Sequence, residues 1–128
     1  RYTLQTGNPR RLKNVLTEDA VYVSEASGQA WNGRDAIMDR LQYVRDANPD
    51  MECFAYLATV TSIDDGEEPL PYGAGKRCVT LSEGKQDIYN AIVFIDQDDS
   101  HHITRLTVSR NARYHFQIDE PIEFVSSK

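Results

Sequence analysis

The sequence has few cysteines, no long hydrophobic run and no excess of basic charge, and each shortage removes a class of protein. Only two of its 128 residues are cysteine. No apolar stretch approaches the roughly 20 residues that a membrane helix needs, so we expect no membrane partner. Fourteen basic against twenty acidic residues give a formal charge of −6, which disfavours contact with a phosphate backbone. Nucleic acid is therefore not an expected partner either.

The two cysteines are expected to be free thiols. Cys53 and Cys78 fall on two predicted strands that are joined by a hairpin whose turn is centred near Glu68. That register places Cys53 opposite a residue near Glu83, several positions from Cys78, so no disulfide is predicted. Buried free thiols are typical of a reducing compartment. We therefore expect a cytoplasmic protein.

The remaining composition is typical of one globular domain. Hydrophobic residues make up 40% of the chain and charged residues 27%. A chain of this length can remove roughly two thirds of its unfolded surface from water and so hold a real core. We predict a single domain that spans residues 1–128.

The N-terminal part of the chain carries residue patterns that are typical of helices. Residues 1–7 are expected to be the tail of a helix. Asn8-Pro9 favours the start of the next helix, because proline at the first helical position loses no hydrogen bond. The inner face of that second helix should carry Leu12, Val15 and Leu16. After its close at residues 17–19 we predict a strand at 21–23 and a loop or weak hairpin at 24–30 that bends near Gly28.

The strongest helical pattern spans residues 34–47. Ile37, Leu41 and Val44 recur at i, i+4 and i+7, which is the spacing of one buried helix face. The helix must end before Asn48-Pro49, because the residue that precedes proline is disfavoured in the helical region.

From residue 52 onward the hydrophobic period changes from helical to extended. β-branched and aromatic residues form four predicted strands, and a loop rich in proline and glycine separates the first two. The strands are predicted at 52–63, 76–82, 86–96 and 102–116, with the loop at 64–75 and turns at 83–85 and 96–100. Helices followed by consecutive antiparallel strands predict an α+β fold, with the helices on one face of a curved sheet.

Three segments carry a resemblance to a known family: LTEDAVYVS at residues 16–24, WNGRDAIMDRL at 31–41 and HITRLTVSR at 102–110. In this order they resemble the nuclear transport factor 2-like superfamily, which includes the SnoaL-like polyketide cyclases and ketosteroid isomerase. The resemblance covers residues 7–110. It implies a cystatin-like cone, in which a curved antiparallel sheet wraps around N-terminal helices and a pocket opens at the wide end. It also implies that part of the first helix is missing.

The residues that match the catalytic positions of the isomerases differ from the family pattern. The carboxylate base would follow the first strand, at Ser24 or Glu25. Serine cannot be that base, and Glu25 would need a one-residue slip that turns it to the other strand face. Asp19 is a second weak candidate for a proton carrier. The second carboxyl group of the isomerase site would fall near Asn90 or Ala91, where no carboxylate stands. An isomerase-type enzyme is therefore not expected.

The leading interpretation is a domain that binds a hydrophobic small molecule in the cone pocket. Aromatic walls and one polar anchor suit such a ligand, and the candidate residues are Tyr22, Trp31, Tyr56, Tyr89 and Asn90. Two structural alternatives remain open: Trp31 packs its turn against the following helix, and the tyrosines occupy sheet faces because tyrosine suits strands. A homodimer formed through the sheet is the expected assembly. The functional alternatives are an isomerase or cyclase with a pocket carboxylate, and an interaction module with a closed pocket.

No metal or cofactor is predicted. The histidines are His101, His102 and His115, whereas the SnoaL-like cyclases use an aspartate and a histidine inside the pocket. The first two fall in a turn beside Asp96, Asp98 and Asp99 that lacks the ligand spacing and the glycine of a calcium loop. The third lies beyond the segment that resembles the family.

Overall fold

One mixed sheet of eight strands carries the fold, and two helices accompany it. The structure is a computed structural model that describes residues 2–6, 10–47, 53–83 and 91–126, with side chains described at 12–47, 54–82 and 91–122. No helix in these ranges is both long and apolar enough to cross a membrane. The elements are β1 (Tyr2–Thr6), α1 (Arg10–Val15), β2 (Leu16–Ser24), β3 (Gln29–Asn32), α2 (Arg34–Ala47), β4 (Cys53–Ile63), β5 (Arg77–Glu83), β6 (Ala91–Gln97), β7 (Ile103–Ser109) and β8 (Tyr114–Ser126).

The strand order combines a local meander with pairings between distant parts of the chain. Across the sheet the order is β1-β8-β4-β5-β6-β7-β2-β3. Strands β4 to β7 are sequential antiparallel neighbours, as the four predicted strands require. The β2–β3 hairpin joins this meander through parallel pairing of β2 with β7, and β1 joins β8 in parallel. The α+β class is confirmed, but the sheet is mixed and not purely antiparallel.

The N-terminal segments differ from the prediction. Tyr2–Thr6 is a strand and not the tail of a helix. Helix α1 has six residues, and Leu16 already belongs to β2, where it pairs with Ile103. Val15, predicted for the inner helix face, is 40% exposed, whereas Leu16 is 2% exposed. So short a helix has little stability of its own, and pairing with β7 draws the following residues into a strand.

Helix α2 has the predicted bounds. Ile37 is fully buried and forms a core cluster with residues of β2 and β7. Gly33 precedes the helix at φ 94°, a conformation that glycine adopts without strain. Its amide donates to the Ala20 carbonyl at 2.8 Å, and its own carbonyl accepts from the Ile37 amide at 3.1 Å. Gly33 therefore ties the start of α2 to β2. The predicted hairpin bend at Gly28 is also confirmed, with φ 71°.

The predicted strand at 102–116 is two strands. Asn111 turns the chain between β7 and β8: its side chain accepts from the Arg113 amide at 3.0 Å, and its own amide donates to the Ser109 hydroxyl at 3.2 Å. Strand β8 then pairs with β4. Its long continuation to Ser126 was not predicted. Of the predicted strand at 86–96 the structure describes residues 91–96, and the turn at 83–85 lies largely outside the described residues.

The cysteine register is confirmed. Cys53 lies opposite Glu83 and Cys78 lies opposite Ala58. Cys78 is a free, buried thiol. Burial, with a smaller contribution from the Asp119 charge, raises the pKa of this thiol to about 11. Cys78 is therefore a core residue and not a reactive thiol at neutral pH.

The two faces of the sheet bury two separate cores. Alternate residues of β6 contribute to both, because successive side chains of a strand point to opposite faces. On the α2 face, Val93 and Ile95 pack against a cluster of five buried residues: Leu16, Ala20, Ile37, Ile103 and Leu106. We call the other side the loop face, because Leu70 and Tyr72 of the 64–76 loop pack there. Its cluster comprises Ala58, Val60, Cys78, Ile92, Phe94 and Tyr114.

Candidate functional site

Two surface depressions lie at the β2–β3 end of the sheet. The first, the sheet-end cleft, has a volume of about 230 Å³. The second, the Trp31 groove, has a volume of about 390 Å³. The cleft is lined by Glu25, Ala26, Ser109, Arg110 and Asn111. The groove is lined by Trp31, Ala36, Asp39, Arg40 and Tyr43.

The sheet-end cleft forms because the carboxyl ends of parallel strands meet at one edge of a sheet. Strand β2 runs beside β7, and the Glu25 amide extends their pairing by donating to the Val108 carbonyl at 3.0 Å. The turn that follows is closed by the Gly28 amide, which donates to the Ser24 carbonyl at 2.9 Å. This turn therefore lies beside the β7–β8 connection, and the cleft opens between them.

The cleft adjoins buried polar groups on the loop face. Ser109 lines it and is fully buried. Tyr114 is 3% exposed, and its O–H donates to no acceptor among the described residues. Burial raises the pKa of Tyr114, and the Glu25 charge raises it further, although the Tyr72 backbone lies close enough to the phenol oxygen to act to lower it. A carboxylate and a buried phenol therefore lie close enough to influence each other.

Contacts between aromatic rings and a guanidinium group shape the Trp31 groove. The rings of Tyr22 and Trp31 make an edge contact, with centroids 5.2 Å apart and planes at 69°. Arg40 lies over both neighbouring rings, with Cζ 4.6 Å from the Trp31 centroid and 5.1 Å from that of Tyr43. Burial raises the pKa of Tyr22, and the charges of Arg40 and Arg110 oppose that rise. Tyr22 thus contacts Trp31 of the groove and is also within range of the charge of Arg110, which lines the cleft.

A polar network holds the 64–76 loop against the loop face. The Tyr72 hydroxyl donates to Asp96 Oδ2 at 2.7 Å, and Lys76 Nζ donates to Asp96 Oδ1 at 2.8 Å. The Tyr72 ring stacks on Phe94 with centroids 4.1 Å apart. Burial acts to raise the pKa of Asp96, but the hydrogen bonds from Lys76 and Tyr72 outweigh it and lower that pKa. This network holds the loop against the sheet, and within it the Lys76 ammonium group and the Asp96 carboxylate neutralise each other.

Comparison with known structures shows which fold this geometry belongs to. The chain superposes on a crystal structure from Agrobacterium tumefaciens strain C58, a protein named as a candidate isomerase of the SnoaL-like family, with a TM-score of 0.54. The match covers 81% of this chain and 84% of that chain at 12% sequence identity. The fold is SnoaL-like. No protein-family profile and no curated protein sequence matches the chain. At this identity the likeness concerns the fold and not the activity.

The SnoaL-like fold brings some of the predicted ligand residues together. Tyr22 and Trp31 are in contact on the α2 face. Trp31 also packs against the α2-face core, as its structural alternative predicted. Tyr56 is 8% exposed and pairs with Thr80, whose neighbours lie on the loop face. Tyr89 and Asn90 lie outside the described residues.

The two candidate proton carriers are placed differently. Glu25 lines the sheet-end cleft, whereas Asp19 is an exposed residue of β2 outside both depressions. The register at the end of β2 is set by two cross-strand pairs. Tyr22 lies opposite Leu106 on the α2 face, and Ser24 lies opposite Val108. Ser24 therefore shares the α2 face, and Glu25 begins the turn.

Several lining residues were missed by the sequence reasoning. Arg40 and Tyr43 lie three positions apart on α2. The helical pattern does not indicate that Trp31 lies beside them in the fold. Ser109, Arg110 and Asn111 were assigned to the interior of one long strand, which concealed the turn that opens the cleft. A polar run at the end of an alternating strand was the available signal.

The predicted turn around residues 96–100 is confirmed, displaced toward 98–102. The Asp98 carboxylate accepts from the Ser100 and His102 amides, both at 2.9 Å, and His101 has φ 63°. Asp98 thus shapes the turn. Within the described ranges no group of three or more histidine, cysteine, aspartate or glutamate residues is arranged to hold a metal ion.

The Asp96 network predicts an acid-sensitive contribution to stability. Because the pKa of folded Asp96 lies below its ordinary value of 3.8, the contribution is present above that value and is lost as the pH falls through the folded-state pKa. We expect Asp96→Asn to lower the free energy of unfolding at pH 7 and to flatten its decline in acid. Urea unfolding across the pH range measures both effects. Asp99→Asn, in the exposed turn, is the matched control, and an equal effect of the two changes would contradict the role of Asp96.

Proposed function

We propose that this SnoaL-like domain binds a hydrophobic small molecule and that the sheet-end cleft is the mouth of the binding site. In this proposal the curved sheet forms a cone that opens where β2 and β7 end. The observation that carries it is the buried Tyr114 hydroxyl, whose O–H donates to no described acceptor and whose pKa is raised by burial and further by the charge of Glu25 in the cleft. A buried hydroxyl without a partner costs about 1–3 kcal/mol, and a ligand oxygen or nitrogen that bonds to it would recover that energy.

The surroundings of Tyr114 support an apolar ligand with few polar groups. Its ring packs on Phe94 with centroids 5.0 Å apart, and the Tyr72 ring stacks on the same Phe94. Thr80 on the same face is fully buried and also carries an unpartnered hydroxyl. Aromatic walls with a small number of buried polar groups are the usual composition of small-molecule pockets. The predicted residue Tyr56 lies on this face as well and remains a candidate for the wall.

A thermal-shift screen of hydrophobic ring compounds with one hydroxyl or carbonyl group tests the proposal. A compound present at 100 times its Kd should raise Tm by about 10 °C, because it stabilises the folded state alone. Tyr114→Phe keeps the ring and removes the hydroxyl, so it should weaken the response. Tyr43→Phe is the control for loss of an exposed phenol. A screen in which no compound raises Tm would count against the proposal.

An enzyme of the isomerase or cyclase type is the second candidate function, and the position of Glu25 in the cleft favours it. A carboxylate beside a buried phenol can accept a proton while the phenol donates a hydrogen bond to the developing oxyanion. Asp19 has no such neighbour among the described residues, and its exposure favours a surface role. The name of the Agrobacterium protein is consistent with this class of reaction.

Turnover of enolisable or polycyclic ketones decides the enzymatic role. Glu25→Gln should reduce the rate by about 10²–10⁴-fold, the usual contribution of general acid–base catalysis. Asp19→Asn should leave the rate unchanged. Retention of activity by both variants would remove the proton carriers proposed for this chain.

We also propose a homodimer formed through the sheet. A row of apolar residues crosses four neighbouring strands on the α2 face, whereas α2 packs on β2 and β3. The row is half-buried within one chain, and a second copy would cover it. Cross-strand pairing joins its members, Leu57, Val79, Val93 and Val108. The free, buried Cys78 is consistent with assembly in the cytoplasm.

Sedimentation velocity at micromolar concentration should give the mass of two chains. Val79→Lys places a charge in the middle of the apolar row and should give the mass of one chain. Ser100→Lys, an exposed position in the turn after β6, adds the same charge away from the apolar row and should leave the dimer intact. A monomeric unsubstituted protein would overturn the homodimer.

A further inference from the structure

The Trp31 groove has the features of an anion site with aromatic walls, and it is separate from the sheet-end cleft. We propose that this groove binds planar aromatic monocarboxylates. The argument rests on three observations: the arrangement of the rings, the unused donors of Arg40 and the distribution of charge around Tyr22. None of them depends on whether the sheet-end cleft binds a ligand.

The ring arrangement supplies a flat apolar wall. Tyr22 contacts Trp31 by its edge and so holds the indole in one orientation. Tyr43, one turn further along α2 than Arg40, is 64% exposed. Its ring is therefore accessible to a ligand. The groove volume of about 390 Å³ accommodates a ligand of one or two fused rings.

Arg40 supplies the polar half of the site. Its guanidinium carbon lies over the rings of Trp31 and Tyr43. The N–H groups of a guanidinium lie in its plane and point outward from this carbon, so a contact with a ring face does not by itself use them. No carboxylate of the described residues lies within 4 Å of these donors. Two parallel in-plane N–H groups match the two oxygens of a carboxylate.

The charge distribution selects a monoanion. Although the chain carries a formal charge of −6, the guanidinium groups of Arg40 and Arg110 both act on the hydroxyl of Tyr22, whose ring contacts Trp31 of the groove. This local positive potential attracts one negative charge. Asp39 lines the same groove and repels a second. A carboxylate therefore suits the site better than a dianionic phosphate.

The chain contains a single tryptophan, Trp31, so the indole N–H resonance of ¹⁵N-labelled protein reports the groove directly. Titration with 2-naphthoate should move this resonance with a saturable profile. The uncharged 2-naphthamide should bind at least about tenfold more weakly, because it lacks the charge-assisted hydrogen bonds. Naphthyl phosphate should also bind more weakly at a pH where it is a dianion.

Substitutions separate the charge from the stacking. Arg40→Gln should weaken 2-naphthoate binding by at least about tenfold, and Arg40→Lys should fall between Gln and the unsubstituted protein, since lysine keeps the charge but not the planar fork. Arg77→Gln is the matched control, because it removes the same charge from an exposed position on β5, three strands from β2. Tyr43→Ala removes an exposed wall and should weaken binding without unfolding the chain.

Three results would overturn the proposal. The first is equal affinity for 2-naphthoate and 2-naphthamide. The second is an Arg40→Gln protein that binds as well as the Arg77→Gln control. The third is stabilisation by 2-naphthoate without any shift of the Trp31 resonance, which would assign the ligand to another site, such as the sheet-end cleft, and leave the groove without a role in binding.

Discussion

The parallel pairing of β2 with β7 is the constraint on which the rest of the structure depends. It joins an N-terminal hairpin to a C-terminal meander, two parts of the chain that are far apart in sequence. The pairing sets the face on which Tyr22 lies, and through the hairpin it sets the position of Trp31. It also brings the turn at Glu25 beside the β7–β8 connection. The position of the sheet-end cleft follows directly from this strand pairing, and that of the Trp31 groove follows from it through the hairpin.

The second organising feature is that each face of the sheet is covered in part, but by different means. Helix α2 covers one face through a conventional apolar stripe. The 64–76 loop covers the other through Leu70, Tyr72 and the hydrogen bonds to Asp96. A loop in this position needs fixed ends, because loops lack the internal hydrogen bonds of helices. Arg113 fixes the near end by donating to the carbonyls of Asp64 and Glu68 at 2.9 and 2.7 Å, and Gly66 leaves the space for its guanidinium.

The two depressions differ in chemistry although they are neighbours. The cleft combines a carboxylate with buried hydroxyls, which suits a ligand that donates or accepts few hydrogen bonds and buries much apolar area. The groove combines exposed aromatic rings with a guanidinium, which suits a ligand that carries an anionic group on a planar aromatic ring. Arg110 lines the first and influences Tyr22 of the second. The sheet of this chain thus carries two depressions of different chemistry at one end.

What the sequence determined by itself were the features that depend on neighbouring residues. The bounds of α2 followed from the spacing of Ile37, Leu41 and Val44. The β2–β3 bend followed from Gly28, and the β4–β5 register followed from the length of the loop between them. These features are set within one helix, one turn or one hairpin, where local propensity and period decide the outcome.

Tertiary structure alone decided the features that depend on distant pairings. Residues 16–20 join a strand because β7 lies beside them, and residues 2–6 form a strand because β8 offers a partner. Likewise, nothing local to Arg40 indicates Trp31, and nothing local to Glu25 indicates Tyr114. The first pair meets when α2 packs on β3, and the second comes near when β2 pairs with β7. The energy of such contacts is gained only after the chain between them has been ordered.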